Sequence, residues 1–219
     1  MTTTTPSLIP DRRRRTAGFT LVEIMIGSTI GAFILAGILS TFLFMGRSGA
    51  NVQNYTDMET QARKALELFA EDTRQAAAIT WISGNQIRLT VNTLYYHTYT
   101  YANGATANTG TLTRVVTLVA GGATVSSMTL LTGIINPVAR TSDTDTTCTP
   151  FFRGYNLNGV EFKAIQYASP SAADLTAASS GTKQLQIAME ASRTSRTVAS
   201  ATNTVLSARF ILRNKVVTA

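Results

Sequence analysis

The chain has 219 residues, which leaves room for one compact domain of ordinary size beside any N-terminal segment. Its formal charge is +7, but residues 19–219 alone have 15 basic and 11 acidic residues and a charge of +4, so the charge does not indicate a polyanion partner. The only cysteine, Cys148, excludes an intramolecular disulfide and a cysteine-based zinc site. With His97 as the only histidine and no glycine-rich phosphate loop, the sequence predicts neither an enzyme nor a cofactor.

A long apolar run follows the basic N-terminus. No charged residue occurs from Ile24 to Gly46, and extension back to Phe19 adds only Glu23, so the run is long enough to cross a bilayer as a helix. Positive charge lies before it, at Arg12 to Arg15, and little follows it. We therefore expect a single-pass anchor in the inner membrane with its N-terminus in the cytoplasm and the rest of the chain in the periplasm.

Two ordinary explanations of this segment fit poorly. A secretory signal has a shorter apolar core with its small-residue cleavage site after it, whereas Gly18 precedes this run. A plain signal anchor fits the length but does not explain Glu23, because a carboxylate in apolar surroundings is costly without a partner.

The residues Gly18-Phe19-Thr20-Leu21-Val22-Glu23, after basic residues and before an apolar helix, resemble the processing signal of type IV pilins and type II secretion pseudopilins. The resemblance implies that a prepilin peptidase cuts between Gly18 and Phe19 and methylates the new amine of Phe19. It also implies that Glu23 attracts the amine of an adjoining subunit during assembly. The implied partners are this peptidase, other pilins or pseudopilins, the assembly platform and the inner membrane.

Small residues recur along the anchor. Gly27 and Gly31 are four apart, a spacing that permits close approach of two helices in lipid. Glycine is common in membrane helices, so ordinary tolerance is an equal alternative. No proline occurs between Phe19 and Gly46, where many pilins have one.

An amphipathic helix is predicted to continue the apolar run to residue 79. Charged residues fall between apolar ones that recur at steps of three and four, namely Val52, Tyr55, Met58, Ala62, Ala65, Leu66, Phe69 and Ala76. The charges are interpreted as solvated surface pairs. The apolar stripe should pack on a sheet.

Short β-branched and aromatic runs replace the helical pattern after residue 79. They predict strands at 79–82, 86–91, 93–101, 111–119, 124–131, 160–167, 183–191 and 204–213, with an antiparallel meander among the first five. Residues 132–158 are predicted to be a long surface loop, and the connections 168–182 and 192–203 to be mobile. The expected fold is α+β and type IV pilin-like: a long N-terminal helix, membrane-spanning and then amphipathic, packed on an antiparallel β-sheet domain.

Further resemblance narrows the family. W-type minor pilins and J-type pseudopilins commonly have an Asp-x-Arg-x-Ala segment late in the helix, an aromatic YxY strand, a Leu-x-Arg strand and a terminal Arg-Asn. This chain has Asp72, Arg74 and Ala76; Tyr99 and Tyr101; Leu112 and Arg114; and Arg213 and Asn214 in these places. The implied divisions are a leader (1–18), an anchor (19–46), a soluble helix (47–79) and a β-rich domain (80–219).

Two further groups of residues could form binding sites, but simpler explanations are favoured. Asp143 and Asp145 alternate in the long loop and could hold calcium, but two acids without further charged ligands favour a solvated loop and no metal. Basic residues near the C-terminus, with several tyrosines in one strand, would suit DNA, although solvated arginines and a packed strand are favoured; these are Arg193, Arg196, Arg209, Arg213, Lys215, Tyr95, Tyr96, Tyr99 and Tyr101.

The sequence therefore predicts a minor pilin or pseudopilin that is incorporated into a type IV pilus or a type II secretion pseudopilus and primes its tip. The alternatives are a major fibre subunit and a module that the pilus displays to bind DNA or a surface.

Overall fold

The structure is a computed structural model that describes residues 18–105, 110–193 and 202–216, except for the side chains of 193 and 202–204. It falls into two units, Met1–Gly46 and Arg47–Ala219. The leader up to residue 17 lies outside the described residues, and so do residues 194–201, which include Arg196 and most of the connection 192–203.

One helix, α1, runs through Leu21–Gln75. In the first unit its apolar side chains are exposed. In the second unit a stripe of Met58, Ala62, Ala65 and Phe69 is buried, as the helical periodicity predicts. The helix ends at Gln75, four residues before the predicted boundary, because the β-branched residues Ile79 and Thr80 belong to a strand that begins at Ala78.

Among the described residues of the second unit, eight antiparallel strands form one sheet: β1 (Ala78–Ser83), β2 (Gln86–Thr90), β3 (Tyr95–Ala102), β4 (Gly110–Leu118), β5 (Thr124–Ile134), β6 (Phe152–Tyr155), β7 (Gln184–Arg193) and β8 (Thr202–Ile211). The order is β1-β2-β3-β4-β5-β7-β6, and β8 pairs with β7 along its whole length. The predicted meander of β1 to β5 is confirmed. The soluble part of α1 and this sheet give the predicted α+β, pilin-like fold.

Three segments differ from the sequence predictions. The predicted loop 132–158 contains β6, which pairs with β7, and residues 160–167 contain a 3₁₀ turn (Lys163–Gln166) instead of a strand. The connection 168–182, predicted to be mobile, forms α2 (Ala172–Gly181). Ser171 caps this helix by accepting a hydrogen bond from the Asp174 N–H, and alanines favour the helix within it.

The core of the second unit lies between the α1 stripe and the sheet. The ring of Phe69 is fully buried and meets Tyr99 edge-on at 5.0 Å, and it also contacts Phe152 and Phe210. Burial of a side chain of this size contributes about 1.5–3 kcal/mol. The helix stripe and the aromatic residues of β3, β6 and β8 therefore fix where α1 lies on the sheet.

Candidate functional site

The predicted processing site lies at the start of α1. Gly18 and Phe19 are exposed and precede the helix, and Thr20 is the residue immediately before it. The Thr20 hydroxyl oxygen accepts a hydrogen bond from the Glu23 N–H (3.2 Å), and Glu23 Oε2 accepts from the Thr20 N–H (3.2 Å). This reciprocal pair is a capping box, in which the two side chains satisfy backbone donors at the helix start.

Sequence reasoning missed Thr20, although a threonine followed three residues later by glutamate, directly before an apolar run, is a helix-start signal. The capping box uses only Oε2 of Glu23, together with a bond from the Thr20 hydroxyl. Among the described residues nothing bonds to Glu23 Oε1, so that oxygen can accept a donor from another chain.

The first part of α1 is apolar on all sides. Its most apolar 18-residue window has a mean hydropathy of 2.0, and none of that window is buried within the chain. Length and composition allow this helix to cross a membrane. An exposed apolar surface of this extent requires lipid or other helices around it.

Gly27 and Gly31 lie in this exposed part of α1. Apart from the adjoining residues and the backbone of the same helical turns, a Cβ atom built on either glycine would meet no atom within 4 Å. Nothing within the described chain therefore requires glycine at these positions, and a close approach that needed them would have to involve a second chain.

The two loop acids are arranged differently from a metal site. Asp145 accepts from the N–H and hydroxyl groups of both Thr141 and Thr147, and the bond from the Thr141 N–H contributes most to lowering its pKa. Asp143 accepts from the Tyr167 hydroxyl (2.8 Å). Within the described ranges no group of three or more His, Cys, Asp or Glu could hold a metal ion.

A buried cation organises the same loop. Arg140 donates to the carbonyl oxygens of Asp143 and Asp145 and to the side chain of Gln166. The positive charge of the Arg140 guanidinium beside these carbonyl oxygens disfavours binding of a metal cation in the loop. The geometry thus supports a structural role for the loop, whose conformation is held by the buried side chain of Arg140.

The three described basic residues near the C-terminus differ in exposure and contacts. Arg209 stacks over the Tyr155 ring at 3.6 Å, and Lys215 is buried, where it donates to the carbonyl oxygens of Ser179 and Thr182. Arg213 is exposed, and the side chains of Arg193 and Arg196 lie outside the described set. Of the four tyrosines in β3, Tyr99 and Tyr101 are buried and the other two are half-buried.

A buried polar cluster joins the end of α1 to the sheet. Asp72, only 3% exposed, accepts bonds from Arg114 Nε (2.7 Å) and Nη2 (3.0 Å) and from the Tyr99 hydroxyl (2.7 Å). His97 Nδ1 lies 2.9 Å from Asp72 Oδ1 and 3.0 Å from Arg114 Nη2. We call these four residues the Asp72 cluster.

The Asp72 cluster keeps its carboxylate ionised. Burial opposes ionisation, but hydrogen bonds from His97, Arg114 and Tyr99 outweigh it and lower the pKa of Asp72 to about 2. Burial, with the charge of Asp72, raises the pKa of Tyr99. His97 was missed from sequence because a lone histidine carries no motif.

Two residues near the C-terminus, Asn214 and Lys215, cap the ends of two helices. The Asn214 side chain donates to the Gln75 carbonyl oxygen (3.2 Å), the last carbonyl group of α1, and Lys215 donates to carbonyl groups at the end of α2. Both contacts satisfy acceptors that a helix leaves free. The Asp72 cluster and these caps are structural joints.

Comparison with protein families gives one finding. The model of the prokaryotic N-terminal methylation motif matches residues 13–39, which include Gly18, Phe19, Glu23 and the first turns of α1. No curated protein and no solved structure matches the chain.

Proposed function

We propose that this chain is a minor pilin or pseudopilin. Its N-terminal segment is that of the type IV pilin and pseudopilin family. The chain is cut before Phe19 and assembled into a filament from the membrane. The observation that carries the proposal is the methylation motif at residues 13–39, which ends in a helix with its apolar surface exposed. The motif indicates a structural subunit rather than an enzyme.

The proposed cut changes the charge at the helix start. It would leave an ammonium group on Phe19, next to the N-terminus of α1, where the helix dipole is already positive. Such a charge in apolar surroundings requires a negative partner. Glu23 has an oxygen without a bonding partner in the described chain, so the Glu23 of one subunit can receive the amine of the next.

Gly27 and Gly31 extend this proposed interface. Their open surface on α1 allows another helix to approach closely, which lipid-exposed side chains would prevent. Packing at these glycines would hold adjoining anchors at the distance that the pair of charges requires.

Processing can be tested with Gly18→Val, because a branched side chain at the residue before the cut should block the peptidase. We expect the full-length precursor to accumulate without a methylated Phe19, as measured by mass spectrometry of the membrane-bound protein. Gly37→Val, which adds the same bulk further along α1, should leave the cut unchanged. Removal of residues 1–18 in the Gly18→Val protein would refute the proposal.

Assembly can be tested separately with Glu23→Gln, which retains the shape of the side chain and removes its charge. We expect normal cleavage but at least a tenfold loss of this subunit from sheared filaments. Glu67→Gln, on the soluble part of α1, is the control. Normal incorporation of Glu23→Gln would show that the charge has no role in recruitment.

A further inference from the structure

Two strands at edges of the sheet, β1 and β8, differ in what lies beside them. Beside β1, the helix α2 covers the edge, and the Trp81 N–H donates to the Ser179 hydroxyl (2.8 Å). On the other side, β8 pairs with β7 and with no other described strand. A long unpaired edge can bind a further strand, and proteins usually cover it or shorten it.

The hydrogen-bonding direction of β8 follows from its neighbours. The Leu212 N–H donates to the Lys183 carbonyl (3.0 Å), whereas the Ala188 N–H donates to the Phe151 carbonyl (2.9 Å) on the other side of β7. Because these directions alternate along a strand, odd-numbered residues of β7 bond to β8, and their partners in β8 are even-numbered.

The odd-numbered residues of β8 therefore direct their backbone groups away from the sheet. Each of Val205, Ser207, Arg209 and Ile211 presents one N–H and one C=O, and none of these groups bonds to another described residue. The register with β7 has no bulge, and β8 contains no proline. These four residues are the free edge.

The core face of β8 is also incomplete. Leu206 and Phe210 pack against the core but stay half-buried, although the Phe210 ring lies 5.7 Å from Phe69. On the outer face Val205 is 73% exposed. A strand added at the free edge would bury apolar surface on both faces, in addition to pairing the backbone.

We propose that the free edge of β8 binds an extended strand of a different pilin-like subunit, which continues the sheet. The inference rests on the proposed function, because it identifies the surface through which this filament subunit binds one of its partner subunits. The bound strand has apolar side chains beside Leu206 and Phe210. It has no lysine or arginine beside Arg209, the only charged residue of β8.

Pairing of β8 with β8 of a second copy is disfavoured by symmetry. Two identical antiparallel edges are related by a two-fold axis through the sheet. The stripe from Met58 to Phe69 packs on one face of the sheet, and a two-fold axis perpendicular to the sheet would therefore direct the two soluble helices oppositely. Subunits related by the rotation and translation of a filament have their soluble helices in one direction, so this pairing does not fit the proposed filament.

The test uses the full chain in its own cells, with a photo-activated cross-linking amino acid in place of Ile211, which is exposed at the free edge. The expected adduct joins this chain to a different protein that carries an N-terminal methylation motif, identified by mass spectrometry. Ser207→Pro removes one edge N–H and should lower the adduct yield about fivefold or more. Ser207→Ala, which loses the same hydroxyl and retains the N–H, should not.

A second pair of variants guards against misfolding by proline. Val205→Lys adds a charge that blocks strand addition and should lower the yield similarly, whereas Val205→Thr should not. Equal yields in all four variants, an adduct with a second copy only, or no adduct would overturn the inference. If Phe19 is processed normally in those cells, the proposed function stands and only the strand addition fails.

Discussion

Replacement of Asp72 by asparagine tests whether the Asp72 cluster holds α1 on the sheet. Asparagine has the same shape but no charge, so Arg114 would remain largely buried without its carboxylate. The lowering of the Asp72 pKa from 3.8 to about 2 corresponds to about 2.5 kcal/mol of stability. Removal of one partner from a buried pair costs about 3–5 kcal/mol. We therefore expect Asp72→Asn to lower the free energy of unfolding by about 3 kcal/mol.

The assay is urea unfolding of the full chain in detergent micelles, followed by fluorescence. Trp81 is the only tryptophan of the chain, and it lies in β1 with 2% exposure, so its emission reports on the second unit alone. Glu71→Gln removes a neighbouring exposed acid and should change the free energy by less than about 0.5 kcal/mol.

Acid should weaken the wild-type protein in a defined range. The pKa of Asp72 is lower in the folded state than in the unfolded state, so its contribution is fully present above pH 3.8. It is lost as the pH falls from 3.8 towards 2, because the unfolded state then binds the proton more tightly. Asp72→Asn should lack this part of the acid dependence. An Asp72→Asn protein as stable as Glu71→Gln, with the wild-type acid profile, would refute the reasoning.

Three further outcomes follow from the contacts of the second unit. Gly154→Ala should destabilise by about 1–3 kcal/mol in the same fluorescence assay, because the new Cβ would lie 2.8 Å from the Trp81 ring and 2.9 Å from the Thr182 hydroxyl oxygen. Asn214→Ala should cost about 1 kcal/mol and speed amide hydrogen exchange at the end of α1, since the last carbonyl group of that helix loses its donor. Burial, with a nearby lysine charge, lowers the pKa of Lys215 to about 8 in the folded state. Above pH 8 the unfolded state therefore binds more protons than the folded state, so the free energy of unfolding should rise from pH 8 to 9.5. The Lys215→Met protein should lack that rise.

Much of the fold followed from periodicity. The stripe of α1 and strands β1 to β5 are long or strongly patterned, so their existence could be predicted from single residues and spacing. The end of α1 was predicted four residues late because Ala76 is buried and continues the helical spacing, although the chain has already left the helix. Tertiary contacts decide such a boundary.

The other errors have local causes. β6 has only four residues, and its pairing with β7 involves residues some thirty positions away, which no local pattern reveals. The helix α2 was concealed by a composition rich in serine, threonine and alanine, although the Ser171 cap was visible as a serine three residues before an aspartate. The capping box of Thr20 and Glu23 was legible in the same way, but the resemblance had already given Glu23 another role.

The motifs that resemble W-type minor pilins and J-type pseudopilins lie together where the end of α1 meets the sheet. Asp72, Tyr99 and Arg114 meet in the Asp72 cluster, and Asn214 closes the end of the same helix. A joint between helix and sheet serves a subunit at any position in a filament, so these residues report how the fold is built rather than where the subunit lies. Position must depend on outward-facing features, and the free edge of β8 is such a feature. A subunit that takes up a strand from a different chain suits a filament end built of several proteins, whereas a major subunit repeats one set of contacts with its own kind.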